Sequence, residues 1–454
     1  MVNNIKIGLE IHCQLNTKSK LFCGCENKAN EEPNTLTCPV CLGHPGAKPV
    51  LNKQAVMKAL KVALAMNCQI NPAMVFSRKS YFFPDLPNNF QVTQYEFPLA
   101  GKGFFDGITI KRLHIEEDPG KLIHKAGYVL VDYNRSGVPL IEIVTEPELT
   151  SADRAKEFLR NLIWTLEYLD VYERESESSL RCDVNISINN GSRVEVKNVN
   201  GMNDVKRVIE YEVERQQQHQ AVQETRGWDS EKGITYQMRT KENEDDYGYI
   251  TEPNLPMFEI SNELMDNIKV DLAELPLEKI KKYIKDFGLS LNDAEVIASD
   301  KGVAELFEKV SMHVNPVRAA KWIRQELVRH LSLNKVKLNN ITFNSKEFIK
   351  LLKLFFEKKI TDKVAKDIMK KLIKDSSFNV EKYIKDNSLT AVSDESEIES
   401  LCDSVISSNP KAVEDYKSGQ ENALNFLMGQ VMKLSKGKAS PDIAKEILKR
   451  KINK

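Results

Sequence analysis

One stretch near the start restricts this chain more than any other. From Ile5 to Leu15 the residues alternate without a break, with Ile5, Ile7, Leu9, Ile11, Cys13 and Leu15 on one side and Lys6, Glu10, His12 and Gln14 on the other. A period of two over this length predicts a β-strand with one buried face. That strand sets a carboxylate beside an imidazole on its outer face. Taken alone it reads as a solvated face with an incidental histidine. Two more strands with acidic faces, further along the chain, turn the reading toward a polar site on a sheet.

At 454 residues the chain exceeds what one core serves, so several domains are expected. Basic and acidic residues number 65 each, giving a net charge of zero. No global field therefore draws this chain to nucleic acid, and any such contact needs a local patch. No apolar run reaches the length of a membrane span, and the first residues lead into the strand without a secretory or transit signal. These features predict a cytoplasmic protein with no membrane contact.

The eight cysteines are few for this length and concentrate early, which argues against a disulfide framework. Cys23 and Cys25 form a CxC pair, and Cys38 and Cys41 a CxxC pair. Two such pairs across a short loop suit tetrahedral zinc, with a redox pair and unmetallated thiols as the other readings. Four thiolates leave no open position, so the zinc would be structural.

Asn52 caps a predicted helix with Val56, Ala59, Leu60, Ala63 and Leu64 inward, and Ser151 caps another with Phe158, Leu159, Leu162, Ile163 and Leu166 inward. Between them lie a stiff loop rich in aromatics and prolines, Ser77 to Asn88, and the acidic run Glu116-Glu117-Asp118 followed by Pro119-Gly120-Lys121. Three adjacent carboxylates at a strand end call for a divalent cation, basic neighbours or open solvent. The Gly-Lys pair lacks the Gly-rich run of a phosphate-binding loop.

Arg181 to Ile188 and Arg193 to Lys197 predict a hairpin. Val184, Ile186 and Ile188 must share a face with Val194 and Val196, which excludes a two-residue turn. A three-residue loop, Asn189-Asn190-Gly191 with Gly191 left-handed, satisfies the pattern. Asp183 then faces Lys197, and Asn185 faces Glu195. From about Leu277 glycine and proline thin out and lysine-rich helical patterns take over, with a small polar linker at 387–396. The fold class expected is α+β: a mainly antiparallel-sheet body over 1–285, an all-α domain over 286–394 and a small helical tail over 395–454. Lys433, Lys436, Lys438, Lys445, Lys449, Arg450 and Lys451 make the tail a local basic patch, and a solvated helix face is its plainer reading.

Several long motifs in fixed order resemble the B subunit of the tRNA-dependent amidotransferases, of the bacterial type. They are Ile7-Gly8-Leu9-Glu10-Ile11-His12, the four cysteines with Leu42-Gly43-His44-Pro45-Gly46, and Arg78-Lys79-Ser80-Tyr81-Phe82-Phe83-Pro84-Asp85. They continue through Glu116 to Lys121, Asn134 to Glu142, Arg181-Cys182-Asp183-Val184-Asn185 and Phe426 to Lys433. The resemblance covers essentially the whole chain. It departs at Pro119, at Asn200-Gly201-Met202 and around Gly248, where nucleotide contacts or placement of the tRNA end could differ.

The resemblance implies ATP-dependent phosphorylation of the side-chain carboxylate of Glu-tRNA(Gln) or Asp-tRNA(Asn). Ammonia channelled from an amidase (glutaminase) partner, itself clasped by a small third partner in a heterotrimer, then displaces the phosphate. It implies that Glu10, His12, Glu116, Asp183 and Glu195 line a catalytic Mg²⁺ and nucleotide site, with His12 binding through water or favouring Mn²⁺. It further implies that Lys79 and Glu117 stand where the ammonia channel opens, that the four cysteines hold structural Zn²⁺, and that the basic tail binds the misacylated tRNA.

Overall fold

In the computed structural model, residues 4–173, 180–219, 221–239, 247–270, 272, 274–390, 395–435, 437 and 439–453 are described. The chain divides into two compact units, 1–277 and 278–454. No helix among the described residues is long and apolar enough to cross a membrane.

In chain order the first unit holds β1 (Ile5–Gln14), α1 (Lys53–Ala65), β2 (Ala73–Met74), β3 (Ser77–Ser80), β4 (Phe90–Thr93), β5 (Gly103–Phe105) and β6 (Ile108–Glu117). Next come β7 (Lys121–Lys125), β8 (Tyr128–Asp132), β9 (Pro139–Thr145), α2 (Ala152–Tyr168), β10 (Leu180–Ile188), β11 (Val194–Asn200) and α3 (Met202–Gln218). It closes with β12 (Glu224–Asp229), β13 (Ile234–Arg239), β14 (Ile250–Thr251), β15 (Phe258–Glu259) and α4 (Asn262–Val270).

Eight of these strands form one sheet in the order β13-β12-β11-β10-β1-β9-β6-β5. Every neighbouring pair in it runs antiparallel except β11 and β12. The first strand is therefore central, between β10 and β9. Its alternation is as the sequence predicts: Ile7, Leu9, Ile11 and Cys13 are wholly buried in the core, with Ile141, Ile143, Leu113, Ile115, Val184 and Ile186 from its neighbours. α3 lies on β10 and α2 on α3, closing this apolar face. Asn52 and Ser151 cap α1 and α2 through their side chains, as their positions predict.

The predicted hairpin register also holds, with Asn185 opposite Glu195 and Ile186 opposite Val194. Two details differ. Asn189 and Asn190, not Gly191, take the left-handed conformation, at φ 52° and 58°; asparagine tolerates that region best after glycine. A bulge also sets both Lys197 and Asn198 against Asp183, and the Asn198 N–H donates to Asp183 Oδ1 at 2.8 Å.

The second unit is helical. It runs α5 (Pro276–Phe287), α6 (Leu291–Ala298), α7 (Lys301–Ser311), α8 (Pro316–Trp322), a π-helical turn Ile323–Val328, and α9 (Arg329–Leu333). α10 (Ser345–Phe356), α11 (Asp362–Lys374), α12 (Val380–Asp386), α13 (Glu395–Ser408), α14 (Pro410–Lys417), α15 (Glu421–Leu434) and α16 (Pro441–Ile452) follow. Sheet-rich body and helical run together make the α+β class expected. α13, α15 and α16 bury Ile398, Cys402, Leu427, Val431, Ile447 and Leu448 in a cluster of their own. Thr361 at the start of α11 donates to the Gly437 carbonyl at 2.6 Å, joining that cluster to the helices before it.

Candidate functional site

The outer face of the eight-stranded sheet carries the polar residues, and pairing brings them together. Glu10 lies opposite Asp183, and His12 lies opposite Arg181 on one side and Glu142 on the other. Glu142 in turn faces His114. Side chains that alternate along each strand thus line up in rows across four strands.

These residues form two clusters where the sequence predicts one. In the first, His12, Glu116 and Glu142 bring ligand atoms within 4.8 Å of one another, and in the second Glu10, Asp183 and Glu195 do the same. His12 Nε2 lies 3.3 Å from Glu142 Oε2 and 3.7 Å from Glu116 Oε1. His114 Nε2 lies 3.5 and 3.6 Å from the same two carboxylates. Glu116 also accepts from Thr93 Oγ1 at 3.1 Å. Sequence reasoning missed Glu142 and His114. The one signal for Glu142 was a lone acid inside the apolar run from Leu140 to Val144.

Burial alone would lower the His12 pKa, but hydrogen bonding and charge from Glu142, then Glu116, raise it on balance. Glu142 is held well below the usual carboxylate range: burial pushes up, and His114, His12 and Arg112 outweigh it. The Nδ1 atoms of His12 and His114 are buried without a hydrogen-bond partner among the described residues.

In the second cluster Lys197 Nζ bridges Asp183 at 2.9 Å and Glu195 at 2.7 Å. Asp183 is lowered, since Lys197 and then His12 outweigh its burial. Glu10 is raised, first by burial and then by Glu142 and Asp183. Asn185 Nδ2 donates to Glu10 at 3.3 Å, and Thr225 Oγ1 to Glu195 at 3.3 Å. Beside both clusters, buried Asp118 accepts from Arg181 at 2.7 Å and from Gln14 at 2.6 Å. Pro119 and Gly120 follow, their carbonyls held by Arg135 at 2.9 and 2.6 Å.

Lys79 and Glu117 join neither cluster. Lys79 sits on the small sheet β14-β3-β4, its ammonium 4.5 Å from the centre of the Tyr247 ring and 5.9 Å from that of Tyr81. Glu117, of opposite parity to Glu116, lines a cavity of about 210 Å³ with Arg78, Glu252, Asn254, His44 and Cys41. Arg78 grips Glu252 through two hydrogen bonds, at 2.6 and 3.0 Å.

Burial pushes Glu117 up to about 7, against a hydrogen bond from the Val92 N–H. A carboxyl raised in the folded state favours folding below its unfolded value of about 4.3, and that contribution is lost as pH rises through the folded value. Glu117→Gln keeps the acceptor and removes the charge. It is expected to be about 1–3 kcal/mol more stable than the parent at pH 8 and to lose most of that advantage at pH 5. Denaturant unfolding at both pH values measures this; equal differences at the two would refute it.

The four cysteines converge as their spacing predicts, with all four Sγ atoms within 4.8 Å of one another, a set able to bind a metal ion. The Cys38 N–H donates to Cys41 Sγ at 3.2 Å. A hydrogen bond from Cys23, that N–H and the charge of Lys20 bring Cys41 down to about 4 despite burial.

Of the tail cations, Lys433, Lys445 and Lys449 are exposed. Lys451 is bound to Asp403 at 2.7 Å and to Glu399 at 3.0 Å, and Arg450 reaches Glu399 at 3.5 Å, so α13 neutralises part of that patch. Lys436 and Lys438 lie outside the described residues.

A family model described as the GatB/GatE catalytic domain matches residues 5–266, and one described as the GatB domain matches residues 305–452. The chain is 41% identical over 472 residues to the B subunit of the aspartyl/glutamyl-tRNA(Asn/Gln) amidotransferase of Clostridium beijerinckii, covering 98% of each. It is 42% identical over 472 residues to that of Thermotoga maritima, again with 98% of each covered. To that of Caldicellulosiruptor bescii it is 42% identical over 480 residues, covering 100% of both. With both family models in order and such identity along the full length, this chain belongs to the family of aspartyl/glutamyl-tRNA(Asn/Gln) amidotransferase B subunits.

Proposed function

We propose that this chain phosphorylates the side-chain carboxylate of Glu-tRNA(Gln), Asp-tRNA(Asn) or both with ATP, and then exchanges the phosphate for ammonia. The carboxylate oxygen attacks the γ-phosphorus, ADP leaves, and an acyl phosphate remains. Ammonia adds at its carbonyl carbon, phosphate departs, and a proton is lost to leave the amide. The observation that carries this reading is the pair of acidic clusters sharing one sheet face. Five carboxylates there, Glu10, Glu116, Glu142, Asp183 and Glu195, have Lys197 as the close ammonium of the second cluster, while Arg181 is turned to Asp118.

The all-oxygen set of Glu10, Asp183 and Glu195 suits Mg²⁺; the set of His12, Glu116 and Glu142 suits a cation that also accepts imidazole. When bound, such ions offset the repulsion between an attacking carboxylate and the γ-phosphate. Lys197 holds Asp183 and Glu195 in place, and Thr93 and Thr225 orient Glu116 and Glu195 by hydrogen bonds. The cavity before Glu117 supports this residue as the mouth through which ammonia arrives, and Lys79 follows Arg78 of the cavity's lining on β3. The four thiols support a structural Zn²⁺ with no place for substrate.

The partners are the amidase (glutaminase), the small third protein of the heterotrimer and the misacylated tRNA, in the cytoplasm. The body ends near 285, a helical domain spans 286–394, and α13–α16 in 395–454 contact the tRNA. Exposed Lys433, Lys445 and Lys449 meet phosphate and duplex shape rather than bases.

The test uses the assembled complex with charged tRNA, Mg²⁺ and ATP labelled at the γ-phosphate, and no ammonia source. ADP release that requires the charged tRNA and falls at least about 100-fold in Glu10→Ala supports the reading. Retained tRNA binding without any ADP release would instead make this chain an adaptor that only presents the tRNA.

A further inference from the structure

Lys20 is an ammonium that the proposed chemistry does not use. Its side chain is wholly buried, at 0% exposure. An ammonium in such a place ordinarily has a carboxylate partner, because an isolated charge removed from water is strongly disfavoured. No carboxylate lies within ion-pair distance of Lys20 among the described residues. Its Nζ donates instead to Cys41 Sγ at 3.6 Å and to the Tyr133 carbonyl at 3.2 Å. The group facing this ammonium is a sulfur of the four-cysteine set.

We propose that Lys20 is the counter-ion of the metal–thiolate centre and a positioning residue for the turn beside it. The proposal rests on the reading that the four cysteines hold Zn²⁺. Four thiolates around a divalent ion leave two excess negative charges in a half-buried knuckle. One buried ammonium removes half of that excess, and the metal-bound thiolate in turn gives the ammonium its partner. Each explains how the other tolerates burial.

The same contacts join the knuckle to the acidic strand end. The Leu21 N–H donates to the Gly137 carbonyl at 2.8 Å, and the Gly137 N–H to the Asp118 carbonyl at 2.9 Å. Ser136 Oγ donates to the Cys41 carbonyl at 3.1 Å. Gly137 is left-handed, at φ 82°, and a Cβ there would lie 3.6 Å from Cys41, 3.7 Å from Lys20 and 3.9 Å from Glu117. The charge-balanced centre therefore holds the turn on which Asp118 and Glu117 are seated.

The experiment measures zinc content of the full-length chain and its transfer to a chromogenic chelator, in the parent, Lys20→Met, Lys20→Arg, Cys25→His and the Lys20→Met/Cys25→His double variant. Lys20→Met should bind zinc about 10–100-fold more weakly, as loss of partners around metal ligands commonly does, and Lys20→Arg should stay closer to the parent. Cys25→His exchanges a thiolate for a neutral ligand, so the effect of Lys20→Met should shrink in that background. Where Lys20→Met yields no folded protein, Lys20→Gln keeps a donor for Tyr133 and removes only the charge.

Equal zinc affinity in the parent and the uncharged variants overturns the proposal, as does an undiminished effect beside Cys25→His, which would mark Lys20 as packing alone. A parent chain without zinc overturns the metal reading itself, and this proposal with it. Hydrogen exchange gives a second readout: chelation of the parent should deprotect the Leu21 and Gly137 amides.

Discussion

Glu142→Gln is expected to lower amide formation at least about 100-fold while charged-tRNA binding and folding stay near those of the parent. The substitution keeps size and removes one charge. Glu142 Oε2 is shared between His12 at 3.3 Å and His114 at 3.5 Å, and Oε1 lies 3.6 Å from Arg112. The carboxylate is thus the anion around which both imidazoles are arranged, and with Glu116 it supplies the acidic part of the first cluster. Loss of that charge weakens any cation held there. It also removes the main influence raising the His12 pKa, so the pH at which His12 protonates should fall in the variant. Rates at saturating ammonia and charged tRNA, with a pH profile, measure both effects. A near-parental rate would take Glu142 out of the site, and an unchanged profile would take His12 out of the rate-limiting protonation.

The second large effect concerns stability. Asp118→Ala should destabilise the first unit by about 3–5 kcal/mol, the usual cost of stranding one member of a buried ion pair. Asp118 is fully buried and accepts from Arg181 and Gln14, with Arg135 at 3.8 Å. Removing it leaves Arg181, whose side chain is only 13% exposed, without its close anion. Burial pushes the Asp118 carboxyl up, yet Arg181 and Arg135 hold it below the usual carboxylate range. A lowered carboxyl stabilises the fold above its unfolded value of about 3.9, and that stability is lost as pH falls through the lower folded value. The deficit of Asp118→Ala should therefore be full at pH 7 and shrink below about pH 4. Urea unfolding across this range measures it; a cost under about 1 kcal/mol at pH 7 would show Arg181 finding another partner.

Residues adjacent in sequence were legible where periodicity spoke. The alternation from Ile5 to Leu15 identified the central strand and its buried face, because side chains two apart must share a side. The face-matching of valines and isoleucines set the register of β10 on β11, since a slip of one residue would expose them. The bulge at Asp183 escaped notice, because an extra residue leaves the hydrophobic pattern on either side intact. The cysteine spacing was legible because a metal demands ligands that converge. The pairing within the basic tail was not legible, because the acids on α13 that hold Arg450 and Lys451 lie about fifty residues earlier in the chain.

By itself, then, the sequence determined the central strand and the β10–β11 hairpin with their buried faces, the convergence of the four cysteines and the family. Only the tertiary structure decided which polar residues meet. Glu142 meets its partners only because pairing sets β9 between β1 and β6, and Lys20 is buried only because the fold closes over it. The physical reason is that periodicity reports which way a side chain faces, which is local. Charge compensation depends on distance in space, which strand order sets: the split into two acidic clusters, the part taken by Glu142 and His114, and the buried ammonium have no signature until the chain has folded.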